Sequence, residues 1–405
     1  MYGYKRTVAR WRSYALAAGI VIALAGVGPR GAARPQPASP SPEAALVRLM
    51  TAPHLRAVWF APVFLAQVSV AQLEQGRAAI EETLGPFVDV RPQPGGSYLL
   101  VFRAGVVRTR IALDGQGRIG TLAFGFPKPA ANRVDVGGYR LYLQCIGVGS
   151  PTVVLEAGLG SPSEVWSLIQ PGVARFTRVC AYDRAGVGGS DAGPRPRTSD
   201  TVVAALHALL RRAGVAGPYV LVGHSVGGFH VRVYADRYPR EVVGMVLVDA
   251  SHPDQLAREL AALPPYRSGE SPALTAARAD LADVRPDPPE GFAWAPSAAQ
   301  VRASGTLGAL PLVVLTRGRS PLTPPFPASV AARLEAVWGA LQAQLARLST
   351  HSIHVRATAS GHFIQEDQPA LVITAIQQVV DAARRHAPLS SCARTFPALG
   401  GACIG

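Results

Sequence analysis

Residues 219–230 of the chain read YVLVGHSVGGFH. The four apolar residues that open this stretch are typical of a buried strand, and the apolar spacing from Val231 onward indicates a helix. Between the two lies the pattern G-x-S-x-G, with Gly223, Ser225 and Gly227 at its fixed positions. In a strand–turn–helix context this pattern predicts a sharp turn that lifts the Ser225 hydroxyl above the end of the strand. Glycines are needed there because side chains would collide with the neighbouring strand and helix, and Ser225 is therefore a candidate nucleophile.

Strands alternate with helices on both sides of this turn. The candidate strands cover 139–144, 152–156, 178–182, 219–222, 243–248, 312–316 and 352–356, and the candidate helices cover 201–213, 226–238, 328–348 and 369–384. Continuous apolar runs such as 243–248 are typical of strands that are covered on both faces. The chain is thus predicted to contain a mostly parallel α/β sheet. The helix that follows Ser225 supplies the Val226 amide to a developing oxyanion.

Three further motifs accompany these strands in a set order. Residues 151–160 read PTVVLEAGLG, residues 182–191 read YDRAGVGGSD, and residues 360–363 read SGHF. Together with the turn at Ser225, they make residues 134–386 resemble the α/β-hydrolase fold family. The fold expected from this resemblance is an α/β-hydrolase domain with a mostly parallel central sheet.

The resemblance also implies roles for individual residues. Ser225 corresponds to the nucleophile, and His362 corresponds to the general base because it follows the last strand in a glycine-containing loop. The backbone amides of Leu159 and Val226 correspond to the two donors of an oxyanion hole.

The acid that would orient His362 is the least regular part of the pattern. Most relatives carry it after the seventh strand, here 312–316, but no carboxylate follows that strand directly. Asp249 stands at the tip of the preceding strand, a position that some relatives use, and it is the favoured candidate. The alternatives that stay open are Glu335, then Glu366 or Asp367, and a dyad without an acid.

A serine that is activated by a histidine attacks a carbonyl carbon and forms an acyl-enzyme. We therefore expect cleavage of a carboxylic ester in a small-molecule or lipid substrate. Dehalogenases and epoxide hydrolases of this fold carry an aspartate at the same turn, so Ser225 argues against both. An acyltransferase or aminopeptidase of the same fold, and a non-catalytic binding protein that retained the fold, are the alternatives.

The predicted hydrolase domain contains a long insertion, and its sequence lacks the patterns of metal and nucleotide binding. Residues 251–308 are rich in proline and apolar side chains, and an insertion of this length is predicted to be a lid. The sequence predicts no metal site, because its cysteines and histidines lack zinc-ligand spacing. It predicts no nucleotide cofactor, because the glycines at 186–189 lack the dinucleotide-binding spacing.

A separate small domain is predicted to precede the hydrolase domain. Residues 43–52 and 70–84 have helical apolar spacing, and the candidate strands 87–90, 98–103, 106–113 and 119–126 follow. Helices followed by an antiparallel meander indicate an α+β domain over residues 43–127. The text at 59–68 and the turn at 114–119 resemble those of NTF2-like, cystatin-like domains.

The N-terminal segment has the order of a secretory signal. Basic residues at 5–12 precede an apolar stretch, 14–28, of 15 residues. That stretch is shorter than the roughly 20 residues that span a bilayer. We predict an exported protein, secreted or periplasmic, in which residues 1–33 are a cleaved signal or a retained N-terminal membrane anchor. A Pro-rich linker covers 34–42.

The distribution of charge bears on nucleic-acid binding, and the four cysteines bear on disulfide formation. The net charge is +14, but the basic residues are dispersed and do not form a cluster, so no nucleic-acid partner is predicted. In an exported protein Cys392 and Cys403 could close a loop in the predicted tail, 387–405. Cys145 and Cys180 are either bonded to each other or buried as small apolar residues.

Overall fold

The computed structural model describes residues 40–65, 68–93, 97–103, 105–125, 132–282, 290–320 and 326–404. The predicted signal or anchor, 1–33, and most of the predicted linker lie outside these ranges. The chain divides into two compact units, with the boundary between Pro127 and Lys128. Within the described ranges, no helix combines the length and the apolar character that a membrane span requires.

The first unit contains helices followed by an antiparallel sheet. Its described elements are α1 (Pro42–Thr51), α2 (Pro62–Leu65), α3 (Val70–Leu84), β1 (Phe87–Gln93), β2 (Ser97–Phe102), β3 (Gly105–Leu113) and β4 (Ile119–Gly125). The strands pair in chain order, each antiparallel to the next. Leu46, Phe60, Leu100 and Ile119 are buried in one core that joins the helices to the sheet. This is the α+β order that the sequence predicts, and the likeness to NTF2-like domains stays a prediction.

The second unit is built around a mixed sheet. Its strands are β5 (Arg133–Asp135), β6 (Arg140–Ile146), β7 (Thr152–Glu156), β8 (Val179–Tyr182), β9 (Tyr219–His224), β10 (Val242–Val248), β11 (Leu312–Arg317), β12 (Ser352–Ala357) and β13 (Gly401–Ile404). The sheet order is β13-β12-β11-β10-β9-β7-β8-β6-β5. The strands from β7 to β12 run parallel, and antiparallel pairing is confined to the two edges. The predicted α/β-hydrolase sheet is confirmed.

Helices cover both faces of this sheet. They are α4 (Gln170–Ala174), α5 (Ser199–Arg212), α6 (Gly227–Arg237), α7 (Gln255–Ala262), α8 (Pro272–Ala282), α9 (Trp294–Ala303), α10 (Ala328–Ala346), α11 (Ile364–Asp367), α12 (Pro369–Arg385) and α13 (Cys392–Thr395). Successive residues of a strand point to opposite faces. In β9, Leu221 packs into the core on one side, and Val220 and Val222 pack into the core on the other. Two buried faces explain why the strands are continuously apolar.

The insertion, residues 251–308, contains α7, α8 and α9 among its described residues. Its two ends are joined by Arg302, whose Nε donates to Asp254 Oδ1 at 2.8 Å and whose Nη2 donates to the Pro253 carbonyl at 2.9 Å. The Ser297 hydroxyl accepts a 3.0 Å bond from the Ser199 amide at the start of α5. The Arg302 bonds connect the ends of the insertion to each other, and the Ser297 contact attaches the insertion to α5.

The C-terminal segment differs from the predicted tail. Gly401–Ile404 forms β13, which pairs antiparallel with β12, and the Phe396 side chain is completely buried in the core. Pairing with β13 removes an exposed strand edge from β12, which is a general requirement of stable sheets. The strand was not foreseen because it has four residues and no alternation.

All four cysteines lie in described ranges and form two disulfides. Cys145 and Cys180 face each other in the antiparallel pair β6 and β8, and Cys392 is bonded to Cys403. The open alternative for Cys145 and Cys180 is thus decided in favour of a bond. The second bond ties α13 to β13.

Candidate active site

Ser225 follows β9 in the sharp turn that the sequence predicts. Its backbone φ is 53°, a left-handed value that is rarely adopted outside glycine and that marks a strained turn. A Cβ on Gly223 would lie 2.8 Å from backbone atoms of Gly227, and one on Gly227 would lie 2.5 Å from the Glu156 carbonyl oxygen. Neither position can therefore hold a larger residue, and the turn stays packed between β7 and α6.

Asp249 and His362 meet at the same edge of the sheet as Ser225. Asp249 follows β10, which pairs in parallel register with β9, so the two strand ends are adjacent. The Oδ2 atom of Asp249 lies 2.6 Å from Nδ1 of His362. Asp249 is completely buried, whereas 27% of the His362 side chain is exposed. The structure thus brings together an acid and a base that are 113 positions apart in the chain.

The environment of Asp249 keeps its carboxylate ionised. Oδ1 accepts bonds from the Arg317 amide at 3.0 Å and from the Trp338 indole at 2.8 Å, and Oδ2 also accepts from Arg317 Nη1 at 3.0 Å. Burial alone would raise the pKa of Asp249, but the charge of Arg317 and the contact with His362 outweigh it and hold the pKa well below its usual range. Asp249 therefore faces His362 as an anion.

The alternative acids lie elsewhere. Glu335 Oε1 accepts from Arg317 Nη2 at 2.9 Å and from the Ser320 hydroxyl at 2.9 Å. Asp367 Oδ2 accepts from the Gly361 amide at 2.7 Å and thereby orders the loop that carries His362. Arg317 occupies the strand end where most relatives carry the acid, and it instead supports a carboxylate from the neighbouring strand. Arg317 at the end of β11 was a signal in the sequence that the acid lies on the neighbouring strand. This signal was not used in predicting the acid, and Trp338 was not identified as a partner of Asp249.

His224 connects the turn at Ser225 to the loop of His362. Its Nε2 lies 3.0 Å from the His362 carbonyl oxygen, and the two imidazole rings are 4.7 Å apart. Burial and the neighbouring His362 lower the pKa of His224 to about 3, so the ring is neutral. Because a carbonyl oxygen only accepts, Nε2 carries the proton and donates. The contacts of His224 are thus structural ones, between the turn at Ser225 and the loop of His362.

The two predicted oxyanion donors belong to segments that adjoin the serine. Val226 is the residue after Ser225 at the start of α6, and Leu159 lies in the loop 157–160 that follows β7. A Cβ on Gly158 would lie 3.1 Å from the Ser225 Cβ, which places this loop directly against the turn. Among the described residues, neither the Leu159 nor the Val226 amide has a hydrogen-bond acceptor. Both are therefore available to an anionic oxygen.

Known proteins share this arrangement of elements. The family model of the alpha/beta hydrolase fold matches residues 151–280. An uncharacterized protein of Bacillus subtilis, YqjL, is 31% identical over 245 residues, which span 60% of this chain and 89% of YqjL. The chain belongs to the α/β-hydrolase fold family. An AB hydrolase superfamily protein of Gibberella zeae is 33% identical to this α/β hydrolase over 105 residues, but the match spans only 33% of that protein.

Solved structures with the same fold are more distant in sequence. A thermophilic esterase from Thermogutta terrifontis is 20% identical to this α/β hydrolase, with 62% of this chain and 98% of the esterase covered at a TM-score of 0.42. The haloalkane dehalogenase DbeA from Bradyrhizobium elkani is 18% identical, with 63% and 98% covered at a TM-score of 0.46. The likeness is one of fold alone.

No group of three or more histidine, cysteine, aspartate or glutamate side chains forms a candidate metal site in the described part of this α/β hydrolase. The candidate active site contains a serine hydroxyl in a strained turn, a histidine held by a buried aspartate, and two open amides.

Glu366, in α11, is expected to make the stability of the domain depend on pH. Burial and the neighbouring Asp367 raise the pKa of Glu366 to about 8. A glutamate in the unfolded chain titrates near pH ~4.3, so the unfolded state loses its proton first and stability falls as the pH rises from there through about 8. We expect Glu366→Gln to raise the thermal midpoint more at about pH 9 than at about pH 5, because glutamine stays neutral. Thermal unfolding of both proteins at both pH values tests this, and a gain that is independent of pH would contradict it.

Proposed function

We propose that this chain is a serine hydrolase that cleaves a carboxylic ester through an acyl-enzyme intermediate. The observation that carries the proposal is the 2.6 Å contact between Asp249 Oδ2 and His362 Nδ1 at the strand ends beside Ser225. A buried carboxylate that fixes a histidine next to a strained serine turn is the arrangement that nucleophilic catalysis requires.

The proposed reaction uses each of these groups once in each half-cycle. His362 Nε2 accepts the Ser225 proton while Oγ forms a bond to the ester carbonyl carbon. The amides of Leu159 and Val226 stabilise the negative charge that develops on the carbonyl oxygen. The ester C–O bond then breaks, and His362 returns the proton to the leaving alcohol. A water molecule repeats the sequence on the acyl-enzyme and releases the carboxylic acid.

Asp249 acts on this reaction through His362. With the Nδ1–H of His362 donated to Asp249, Nε2 carries the lone pair that accepts the serine proton. When His362 becomes an imidazolium, the anionic Asp249 stabilises it. Arg317 and Trp338 hold the carboxylate in place and are positioning residues.

The residue at the turn also separates this proposal from the dehalogenase activity of some structural relatives. Dehalogenases and epoxide hydrolases of the fold use an aspartate as nucleophile, and this chain has Ser225 there.

For the substrate we propose a small-molecule or lipid ester. Apolar residues such as Leu256, Leu260 and Trp294 are frequent in the insertion 251–308, which we propose to be a lid.

The same proposal extends to localisation. Two disulfides support an oxidising compartment, because cytosolic thiols are kept reduced. We therefore propose that the protein is secreted or periplasmic, with residues 1–33 removed as a signal or kept as an anchor.

A fluorophosphonate probe tests the proposal on the full chain. We expect covalent labelling of the peptide that contains Ser225, identified by mass spectrometry, and hydrolysis of p-nitrophenyl esters in a series from acetate to palmitate. The series also reports the preferred acyl length. Lack of labelling would contradict the proposal and favour a non-catalytic protein. Labelling without ester hydrolysis would also contradict it, and transfer to an added alcohol or cleavage of aminoacyl amides would then identify an acyltransferase or an aminopeptidase.

A further inference from the structure

A buried charge cluster lies next to the loop 157–160 and has no part in the reaction described above. Arg184 is 3% exposed, and its partners Glu156 and Glu290 are 0% and 2% exposed. The guanidinium donates to Glu156 Oε1 at 2.7 Å and forms a two-point contact with Glu290, at 2.6 and 2.8 Å. Buried ion pairs with complete hydrogen bonding impose a specific geometry, and breaking one strongly destabilises its surroundings.

Arg184 also holds the backbone of the loop that carries Leu159. Its Nη1 donates to the Ala157 carbonyl at 2.6 Å, and its Nη2 donates to the Gly158 carbonyl at 2.5 Å. With the bonds to the two carboxylates, all five N–H groups of the guanidinium are used. A lysine has three donors and cannot reproduce this arrangement.

The bond to Gly158 determines the direction of the Leu159 amide. The Gly158 carbonyl and the Leu159 N–H belong to one planar trans peptide, so they point in opposite directions. The Gly158 carbonyl also accepts from the Ser161 amide at 3.1 Å, so Arg184 and this turn together fix the carbonyl and direct the Leu159 N–H to the other side of the loop. Glu290 Oε1 accepts from the Gly160 amide at 2.5 Å and fixes the next part of the loop.

Glu290 belongs to the insertion 251–308, and its backbone is fixed as well. The Arg197 guanidinium donates to the Glu290 carbonyl, and the Arg197 amide donates to the Gly291 carbonyl at 2.9 Å. The Ala293 amide donates to the Arg197 carbonyl at 2.7 Å. The insertion thus delivers one carboxylate, in a fixed place, to the loop of the candidate oxyanion donor.

The charges reinforce this geometry. Burial alone would lower the pKa of Arg184, but Glu290 and Glu156 outweigh it and keep the guanidinium charged. Burial raises the pKa of Glu156, which is also bonded to the Tyr182 hydroxyl. Glu290 therefore contributes the two-point acceptor that holds the guanidinium in register with the loop carbonyls.

We propose that Arg184 and Glu290 are positioning residues for the oxyanion hole, and that the insertion controls ester cleavage through Glu290 because its carboxylate sets the direction of the Leu159 amide. This inference rests on the function proposed above. In this arrangement the Leu159 amide is aligned only when the insertion places Glu290 against Arg184.

The test compares Glu290→Gln with the parent enzyme in p-nitrophenyl butyrate hydrolysis, with active sites counted by fluorophosphonate titration. In the variant, the new amide NH₂ faces an N–H group of Arg184 in either orientation, and in one of them it also faces the Gly160 amide, so one donor confronts another. We expect kcat per titrated site to fall about 10- to 100-fold, somewhat less than for complete loss of an oxyanion donor, with little change in KM. The inhibition constant of a trifluoromethyl ketone, which mimics the tetrahedral intermediate, should rise by the same factor.

A matched control separates positioning from general loosening of the insertion. Asp254→Asn breaks the ion pair with Arg302 that joins the two ends of the insertion, but it does not touch the loop 157–160. We expect its kcat and its ketone affinity to stay close to those of the parent. If it loses as much activity as Glu290→Gln, or if Glu290→Gln keeps parental kcat, or if ketone affinity does not follow kcat, the proposal is wrong.

Two further measurements keep the result decisive. If Glu290→Gln does not fold, Glu290→Asp retains the charge on a shorter side chain, and the same parallel loss of kcat and ketone affinity is expected. Hydrogen exchange of the peptide covering residues 157–163 should be faster in the Glu290 variant and unchanged in Asp254→Asn. If the parent itself neither hydrolyses esters nor reacts with the probe, the proposed function and the oxyanion role both fail, and exchange then reports only whether Glu290 orders the loop.

Discussion

Replacing Ser225 by alanine is expected to abolish ester hydrolysis, with kcat falling about 10⁶-fold. The hydroxyl is the group that forms the acyl-enzyme, and no other group in the turn can replace it. The fold should persist, because the turn is fixed by the close packing of Gly223 and Gly227 and not by the serine side chain. Steady-state kinetics on p-nitrophenyl butyrate, with circular dichroism as a test of folding, measures both effects.

Ser349, a buried serine away from the candidate active site, provides the control. The Ser349 hydroxyl donates to the Leu310 carbonyl at 2.6 Å, before β11 and β12 and thus at the opposite edge of the sheet from Ser225. Ser349→Ala removes a comparable hydroxyl and should leave kcat close to the parental value. A Ser225→Ala protein that keeps a tenth of the activity would exclude Ser225 as the nucleophile.

Asp249→Asn is expected to lower kcat about 10⁴-fold with little change in KM. The structure specifies how the amide will lie. Two donors, the Arg317 amide and the Trp338 indole, point at the Oδ1 position, so the amide oxygen will occupy it. The amide nitrogen then lies at the Oδ2 position, where it confronts the Arg317 Nη1 donor and donates to His362 Nδ1. This stabilises the tautomer with the proton on Nε2, which cannot accept the proton of Ser225.

Glu335→Gln is the matched comparison for the acid. Glu335 is bonded to Arg317, and both Arg317 and Asp249 stand between it and His362, so its neutralisation should change kcat only a few-fold. The pH–rate profiles of both variants should be recorded, because the wrong tautomer lowers the rate at every pH whereas a shifted titration moves the profile. If Glu335→Gln is the inactive protein and Asp249→Asn is the active one, the assignment of the acid is wrong.

Local sequence patterns were sufficient to predict the central strands of the sheet and the turn at Ser225. The runs 153–155 and 245–248 are buried on both faces and are apolar without interruption, and this is visible in the sequence. The turn at Ser225 is equally legible, because the steric requirement for glycine at 223 and 227 acts over a few residues. Asp249 could be favoured since the carboxyl ends of parallel strands meet at one edge.

Contacts between distant residues could not be predicted in the same way. The alternatives for the cysteine pair 145 and 180 depended on the register between β6 and β8, and the strand β13 depended on the free edge of β12. The sequence places Arg184 beside Asp183, but its partner Glu290 lies 106 positions away.

The sequence by itself determined the sheet, the nucleophile turn and the candidate serine, because these follow from short-range sterics and from the period of burial, and the resemblance to the fold family added His362 as the candidate base. Only the tertiary structure decided which groups hold them: Arg317 and Trp338 around Asp249, and Arg184 with Glu290 against the loop of Leu159. The physical reason is that a buried charge must be matched by partners wherever the fold brings them, and their identity is set by packing in space and not by spacing along the chain.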